Sequence, residues 1–202
     1  MFNIVVLASG NGTNFRCVVN AIKEGSLSGM RIIGLITDRP GTGASEFARN
    51  EGIPVFELDY SLFQDRNAYN AELKRTVASL SPDLILALGY MRIMDENFVE
   101  SYPRKIINIH PSLLPSFPGM NAQKKALEYG VKVTGVTVHY VDTGVDTGPI
   151  ILQSPVAIPE GIDESGLSVL IRKEEHRTIV EAVRLHCSGS LRMDGRRVIL
   201  RE

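Results

Sequence analysis

The amino-acid sequence predicts an α/β protein with an open, mostly parallel, doubly wound sheet, followed by antiparallel strands and a long helix. Three observations predict this class. Short apolar runs alternate with amphipathic stretches as far as His110, as is typical of a parallel sheet with helices on both faces. Several apolar runs end at polar or glycine-rich loops. After His110 the pattern changes to extended segments and one long helical stretch.

The first half of the chain contains the alternating elements. Gly25 and Gly52 follow two of the helical stretches, where glycine commonly ends a helix, and Ser81-Pro82 stops the longest of them. The predicted strands are residues 4–8, 31–37, 55–58, 83–88 and a run that ends at 110, and the predicted helices are 15–24, 44–51, 66–80 and 96–101.

The second half contains two predicted strands, residues 134–141 and 150–158. Pro155 places the second strand at an edge of the sheet, because proline has no N–H group to donate to a neighbouring strand. The other predicted elements are a proline-rich loop at 113–119, a short helix at 123–128, an amphipathic helix at 164–187 and a hairpin at 191–200.

The composition is that of a globular protein with almost no net charge. The chain has 202 residues, of which 44% are hydrophobic and 22% charged, so a single domain with a substantial core is expected. The formal net charge of −1 does not favour binding to nucleic acid or to an anionic membrane.

The sequence also predicts a cytoplasmic location. No apolar run approaches the roughly 20 residues that cross a bilayer, and Met1-Phe2-Asn3 leads into a strand without the pattern of a signal peptide. The two cysteines, Cys17 and Cys187, lie in helical stretches and are expected to be buried, reduced thiols.

Asn108 and His110 are the strongest candidates for catalytic residues. They follow the apolar pair Ile106-Ile107, which indicates a buried strand. Because they lie two positions apart on that strand, the amide and the imidazole project from the same face and can converge on one point. Such a pair suits a carbonyl oxygen that becomes negative during acyl transfer. A structural role for a buried His110 remains the alternative.

An acidic residue would complete this candidate site. Asp146 lies in the glycine-rich loop 144–149, and Asp142 just before that loop is a rival of equal standing. If the fold brings Asp146 beside His110, a carboxylate, an imidazole and an amide surround one reacting centre. The alternative is that both aspartates only stabilise turns.

Two further loops follow predicted strands and could bind ligands. Gly10 and Gly12 would let backbone amides approach a phosphate at the start of a helix, or would simply form a tight turn. Phe15 occupies the place of the third glycine of a dinucleotide fingerprint, which disfavours NAD. The loop 89–94 could wall a flat ligand with its apolar side chains and hold a carboxylate with Arg92, or could simply pack on a helix.

Four motifs together resemble those of the phosphoribosylglycinamide formyltransferases, also called glycinamide ribonucleotide transformylases, within the folate-dependent formyltransferase family. The resemblance runs from Ile4 to about Gly189. The segment Asn108–Pro115 together with the loop at Asp146 is specific to folate-dependent formyl transfer. The Ser9–Asn14 loop and the chain length favour the purine enzymes within that family. The motifs are Ser9-Gly-Asn-Gly-Thr-Asn14, Gly89-Tyr-Met-Arg92, Asn108-Ile-His-Pro-Ser-Leu-Leu-Pro115 and Asp146-Thr-Gly-Pro-Ile-Ile-Leu-Gln153.

The resemblance implies a role for each matching position in a single domain of Rossmann-like formyltransferase fold, residues 1–202. Residues 1–110 would form the nucleotide-phosphate-binding half and 111–202 the folate-binding and C-terminal half. The implied catalytic residues are Asn108, His110 and Asp146, with His139 and Ser112 in support; the substrate phosphate would contact Gly12, Thr13 and Asn14; the ribonucleotide would contact Glu175 and Arg172; and the folate would contact Arg66, Met91, Arg92, Ile93, Thr143, Gly144, Val145, Thr147 and Gly148.

The implied reaction transfers a formyl group from the co-substrate 10-formyltetrahydrofolate to the amine of glycinamide ribonucleotide, in de novo purine (IMP) biosynthesis. The amine would attack directly, Asn108 and a protonated His110 would stabilise the oxyanion, and Asp146 would hold His110 and carry the proton. These two small molecules would be the only partners of a monomer or homodimer. No metal is expected, since no His, Cys or Asp spacing resembles a zinc site.

Three alternatives differ in features that the sequence can be searched for. A methionyl-tRNA formyltransferase is expected to carry a further C-terminal domain and a positive surface, and a formyltetrahydrofolate hydrolase an N-terminal regulatory domain. A non-catalytic nucleotide-binding module would need only the Gly10–Asn14 loop. One departure from the family concerns the last helix, where Thr178-Ile179-Val180 replaces a frequent Leu-Tyr-Pro and leaves the packing of that helix open.

Overall fold

The computed structural model describes residues 1–201 and contains the predicted alternation of strands and helices. The strands are β1 (Phe2–Leu7), β2 (Met30–Thr37), β3 (Val55–Glu57), β4 (Leu84–Ala87), β5 (Ile106–His110), β6 (Val133–Tyr140), β7 (Ile150–Ala157), β8 (Leu191–Asp194) and β9 (Arg197–Leu200). The helices are α1 (Thr13–Lys23), α2 (Gly43–Asn50), α3 (Arg66–Leu80), α4 (Glu96–Ser101), α5 (Ala122–Tyr129) and α6 (Glu164–Cys187), with a 3-10 turn at Tyr60–Leu62.

The sheet has the strand order β3-β2-β1-β4-β5-β6-β7. β1 pairs in parallel with β2 and β4, and β2 pairs in parallel with β3. β7 pairs antiparallel with β6 and lies at the edge, as Pro155 predicted. β8 and β9 form a separate antiparallel hairpin. The predicted class is therefore confirmed: a mostly parallel α/β sheet with C-terminal antiparallel strands and a long helix.

The chain divides into two compact units, Met1–Ile107 and Asn108–Glu202; the single formyltransferase domain remains a prediction. In the first unit, β1 and β4 are buried on both faces: Ile4 and Leu7 in one strand and Leu84 at the start of the other have no solvent exposure. Strands covered on both faces are typical of parallel sheets and explain the continuous apolar runs.

In the second unit, α6 packs against β6 and β7. Thr178 belongs to the segment that departs from the family pattern, and its hydroxyl donates to the Glu174 carbonyl at 2.7 Å and lies 2.8 Å from Ser154 Oγ. Ile179 beside it is fully buried. The departing segment therefore packs α6 against the sheet without an unsatisfied hydroxyl.

The cysteines differ from the prediction. Cys17 and Cys187 are half-buried rather than buried, and neither forms a disulfide. Cys17 lies on α1 and Cys187 is the last residue of α6, so the exposure of each thiol depends on what packs around its helix. Among residues 1–201, no helix combines the length and the apolar composition that crossing a membrane requires.

Gly148 has no room for a side chain, because a Cβ atom there would overlap the carbonyl oxygen of Tyr140. We expect Gly148→Ala to lower the free energy of unfolding by about 1–3 kcal/mol, the usual cost of overpacking. Gly10→Ala is the matched control, since a Cβ at Gly10 meets nothing within 4 Å. Urea denaturation of both variants tests this, and equal midpoints would contradict it.

Candidate active site

Three polar side chains meet at the carboxyl end of β5. Asn108 and His110 lie on this strand, and Asp146 reaches them from the loop between β6 and β7. Asp146 Oδ2 lies 3.2 Å from His110 Nδ1, and Asp146 Oδ1 accepts a hydrogen bond from Asn108 Nδ2 at 3.4 Å. His110 is only 5% exposed, so the three groups interact in a largely desolvated environment.

The loop backbone aims Asp146 at this point. Asp146 adopts a left-handed conformation with φ 54°, and the Gly119 N–H group donates to its Oδ2 at 2.7 Å. Asp142, the rival acidic residue, instead accepts hydrogen bonds from Gly144 N at 3.2 Å and from Thr147 Oγ1 at 2.7 Å. Asp142 therefore orders the loop, and Asp146 is the aspartate that faces His110.

His110 is held through its Nε2 atom. Nε2 lies 2.9 Å from the Phe117 carbonyl oxygen, and because a carbonyl only accepts, Nε2 carries a proton. In the neutral ring, Nδ1 is then the unprotonated nitrogen, and it faces Asp146. Burial lowers the pKa of His110, and it outweighs the opposing effects of the Phe117 carbonyl and of Asp146.

This pKa direction corrects one expectation. The resemblance implied a protonated His110, and the Asp146 carboxylate does act to raise its pKa, but burial leaves the net pKa below its ordinary value of 6.5. The lowered pKa therefore favours the neutral imidazole at neutral pH, not the protonated one. The sequence could not reveal this, because the desolvation of the ring depends on everything that packs around it.

Asp146 is held as a carboxylate. Burial acts to raise its pKa, but neighbouring groups that include the Gly119 N–H donor outweigh burial, so the pKa lies below its ordinary value of 3.8. His139 Nε2 is 3.7 Å from Asp146 Oδ1. At neutral pH the site thus pairs an anionic carboxylate with a neutral imidazole, and this pair can accept one proton.

His139 orients the amide of Asn108. Its ring is buried, and Nδ1 donates to the Tyr140 carbonyl at 2.9 Å. In the neutral ring Nε2 therefore accepts, and Asn108 Nδ2 lies 3.2 Å from it. The amide nitrogen of Asn108, rather than its oxygen, is thereby turned toward Asp146 and the reacting centre.

Ser112 shapes the loop that supplies the Phe117 carbonyl. Its fully buried hydroxyl donates to the Ser116 carbonyl at 2.5 Å, and its own carbonyl accepts from Thr137 Oγ1 at 2.7 Å. Gln153 Nε2 lies 2.9 Å from the same Thr137 hydroxyl. Sequence reasoning missed Thr137 and Gln153 as supports, although Thr137 shares a strand face with His139 and could have been found from that periodicity.

The His110 pKa predicts a pH dependence of stability. The unfolded chain binds a proton at His110 near pH 6.5 and the folded chain does so only at lower pH, so acid favours the unfolded state. The stabilising contribution is present above 6.5 and is lost as the pH falls. We expect the free energy of unfolding to drop more between about pH 7.5 and about pH 5 in the wild type than in His110→Asn, as measured by urea denaturation. Equal losses in both proteins would contradict the assignment.

The first unit contains the candidate phosphate loop. Gly12 lies in the left-handed region with φ 68° immediately before α1, and a Cβ there would be 2.7 Å from Ala44 Cβ. Gly12 thus allows a close turn and supplies no side chain to cap the first turn of α1. Thr13 and Asn14 begin that helix, where backbone N–H groups and the helix dipole favour an anion.

The first unit also contains the predicted folate contacts. Met91 and Ile93 are 54% and 57% exposed, which is unusual for apolar side chains of this size and leaves two apolar surfaces for a ligand. The Met91 N–H group donates to Ser9 Oγ at 2.9 Å, so this loop is fixed to the end of β1. Arg92 is partly exposed, and Arg66 is exposed at the start of α3.

The second unit carries the remaining predicted contacts. Arg172 is exposed and Glu175 half-buried, and they lie one turn apart on α6. Of the loop residues, Val145 is 51% exposed, and Gly144 and Thr147 are tied to Asp142. Within residues 1–201, no group of three or more His, Cys, Asp or Glu side chains is arranged to hold a metal ion.

Residues 2–183 match the formyl transferase family over most of the chain. The chain belongs to this family. It is 35% identical to the phosphoribosylglycinamide formyltransferase of Escherichia coli (strain K12), over 95% of this chain and 90% of that protein. Among solved structures, glycinamide ribonucleotide transformylase 1 from Symbiobacterium toebii is 42% identical with a TM-score of 0.96, over 100% of this chain and 95% of that one.

Another similar protein is much longer than this member of the formyl transferase family. The chain is 41% identical to the trifunctional purine biosynthetic protein adenosine-3 of Drosophila pseudoobscura pseudoobscura, over 94% of this chain. It spans only 14% of that relative's length. The similarity therefore concerns a small part of the longer protein.

Proposed function

We propose that this formyl transferase family member is a phosphoribosylglycinamide formyltransferase. It transfers the formyl group of 10-formyltetrahydrofolate to the amine of glycinamide ribonucleotide, in de novo purine biosynthesis. The single observation that carries the proposal is that the Asp146 carboxylate lies 3.2 Å from His110 Nδ1 and 3.4 Å from Asn108 Nδ2, in a chain whose relatives bear that enzyme's name.

The first step is attack of the neutral amine on the formyl carbon. The carbonyl oxygen becomes an oxyanion, and Asn108 Nδ2 donates a hydrogen bond to it. The present Asn108–Asp146 contact of 3.4 Å is long for a hydrogen bond, so this N–H group can turn to the stronger, anionic acceptor. His139 keeps the amide nitrogen facing the reaction through its 3.2 Å contact.

The second step is removal of a proton from the nitrogen that has attacked. The His110–Asp146 pair accepts it, since His110 Nδ1 is unprotonated and Asp146 is anionic. The resulting imidazolium lies beside the oxyanion and offsets its charge, and Asp146 at 3.2 Å and the Phe117 carbonyl at 2.9 Å stabilise both of its N–H groups. Return of the proton to the folate nitrogen expels tetrahydrofolate, so no covalent enzyme intermediate is required.

The other predicted contacts bind the two substrates in this proposal. The first turn of α1, with Gly12, Thr13 and Asn14, takes the phosphate of the ribonucleotide, and Arg172 and Glu175 contact its remainder. Met91 and Ile93 cover the folate, Arg66 and Arg92 hold its glutamate carboxylates, and the Thr143–Gly148 loop encloses the pterin. Binding uses only small molecules, and the active species is a monomer or a homodimer.

The proposal is tested by following the absorbance of the folate product. Product is expected only when both 10-formyltetrahydrofolate and glycinamide ribonucleotide are present. Product formed without the ribonucleotide would identify a hydrolase instead, and formation with an alternative formyl acceptor only would identify a different formyltransferase. If the protein binds the ribonucleotide through its phosphate but forms no folate product, it is a non-catalytic nucleotide-binding module instead.

A further inference from the structure

Arg92 is fixed in place by two neighbours that the sequence did not single out. Its Nε donates to Asp38 Oδ2 at 2.6 Å. Its guanidinium carbon lies 3.9 Å from the centre of the Tyr60 ring, a cation–π contact. One edge and one face of the guanidinium are thus held before any ligand arrives.

Asp38 is suited to this holding role because its side chain has no solvent exposure, whereas the Arg92 side chain is 33% exposed. A buried carboxylate needs a charged or hydrogen-bonding partner, and the short bond to Arg92 supplies one. Arg39 Nε, 3.5 Å from Asp38 Oδ1, is the second cation beside it. Two guanidinium groups and one carboxylate leave this cluster with one net positive charge, which favours one further carboxylate.

Tyr60 is itself held. Its backbone N–H group donates to the Asp38 carbonyl at 3.0 Å, which links the 3-10 turn at Tyr60–Leu62 to the end of β2. Its ring packs on Tyr69 with the centroids 5.0 Å apart, and the Tyr69 hydroxyl is hydrogen-bonded to that of Tyr90. Tyr90 lies two residues before Arg92. The contacts that run from Arg92 through Tyr60 and Tyr69 therefore end at Tyr90, in the same loop as Arg92.

The bond to Asp38 uses only Nε of Arg92. The two terminal nitrogens remain as a planar pair of donors, which matches the two oxygens of a carboxylate. A side chain held at Nε and at one ring face loses less conformational freedom on binding than a mobile arginine would. The contacts therefore favour a bidentate carboxylate site whose geometry is set in advance.

We infer that Asp38 and Tyr60 are positioning residues, which fix Arg92 so that its terminal nitrogens bind a carboxylate at the glutamate end of the folate donor. This inference rests on the proposed function. It predicts that both residues determine specificity for a carboxylate-bearing donor and do not alter the formyl-transfer step.

The test compares 10-formyltetrahydrofolate with an analogue whose glutamate carboxylates are converted to amides. Asp38→Asn is expected to reduce the preference for the carboxylate donor, as the ratio of kcat/KM values, by roughly tenfold, through a higher KM with kcat unchanged. Arg92→Ala, which removes the carboxylate-binding side chain itself, is expected to lower this ratio of kcat/KM values at least as far as Asp38→Asn does. Asp83→Asn is the matched control, since that carboxylate, just before β4, accepts from the Asn3 N–H group.

A merely structural role of Asp38 would impair both donors equally, and that result would overturn the inference. If Asp38→Asn does not fold, Tyr60 decides. Tyr60→Leu is expected to lower the preference about two- to fivefold and Tyr60→Phe, which keeps an aromatic face, to retain it; equal behaviour of the two would overturn the inference. Calorimetric binding of both donors without the ribonucleotide separates this failure from a failure of the proposed function, because it requires no turnover.

Discussion

Replacing Asp146 by asparagine is expected to lower kcat on the order of 10²- to 10⁴-fold, the range of a general acid–base group. An amide cannot accept the proton that the amine releases. The substitution also removes the anion that raises the His110 pKa, so the imidazole becomes a still weaker base. The oxygen of the new amide can still accept from the Gly119 N–H group, so folding is expected to persist. Steady-state kinetics at saturating substrates, with circular dichroism for folding, measure this effect.

Asp142→Asn is the matched control for that variant. Asp142 lies four residues earlier and accepts from Gly144 and Thr147 through one oxygen, which an amide oxygen can replace. Its kcat is expected to stay within a few-fold of the wild type, roughly the effect of one exchanged neutral hydrogen bond. If Asp142→Asn and Asp146→Asn lose activity equally, or if Asp146→Asn keeps most of its turnover, the role of Asp146 is wrong.

The second large effect is expected for Asn108→Ala. Loss of one oxyanion donor typically costs on the order of 10²- to 10³-fold in kcat. KM for either substrate is expected to change little, because the hydrogen bond strengthens only as the oxygen becomes negative. Asn50→Ala, at the exposed end of α2, controls for the amide-to-methyl change. A rise in KM with kcat unchanged would show that Asn108 binds a substrate instead of the oxyanion.

The two predictions separate the two halves of the mechanism. Asn108→Ala removes a donor but leaves the His110–Asp146 pair, so the pH profile of the residual activity is expected to keep its acid limb below pH 6.5. Asp146→Asn is expected to move that limb to lower pH, because the anion that raises the His110 pKa is gone. Activity profiles of the wild type and both variants over pH would show this difference.

Much of the fold follows from local sequence signals. The predicted bounds of α3, α4 and α6 agree with the structure, because Asp65, Asp95 and Asp163 each accept a backbone N–H three residues later and cap the helix start. Most other predicted boundaries lie within one or two residues of those observed. Along β6, Val136 and Val138 alternate with Thr137 and His139, a pattern typical of a strand with one exposed face, but both faces are buried and α6 packs on this strand.

The sequence by itself determined the class of the sheet, the strand that carries Asn108 and His110, and the short set of residues from which a formyl-transfer site could be built. Local propensities and side-chain periodicity suffice for these, because they act over a few residues. Only the tertiary structure decided between Asp142 and Asp146, placed the Phe117 carbonyl on His110, and attached Arg92 to Asp38. Each of those outcomes depends on contacts between segments that are distant in the chain and on the desolvation that these contacts cause. Neither can be predicted from the residues of one local segment.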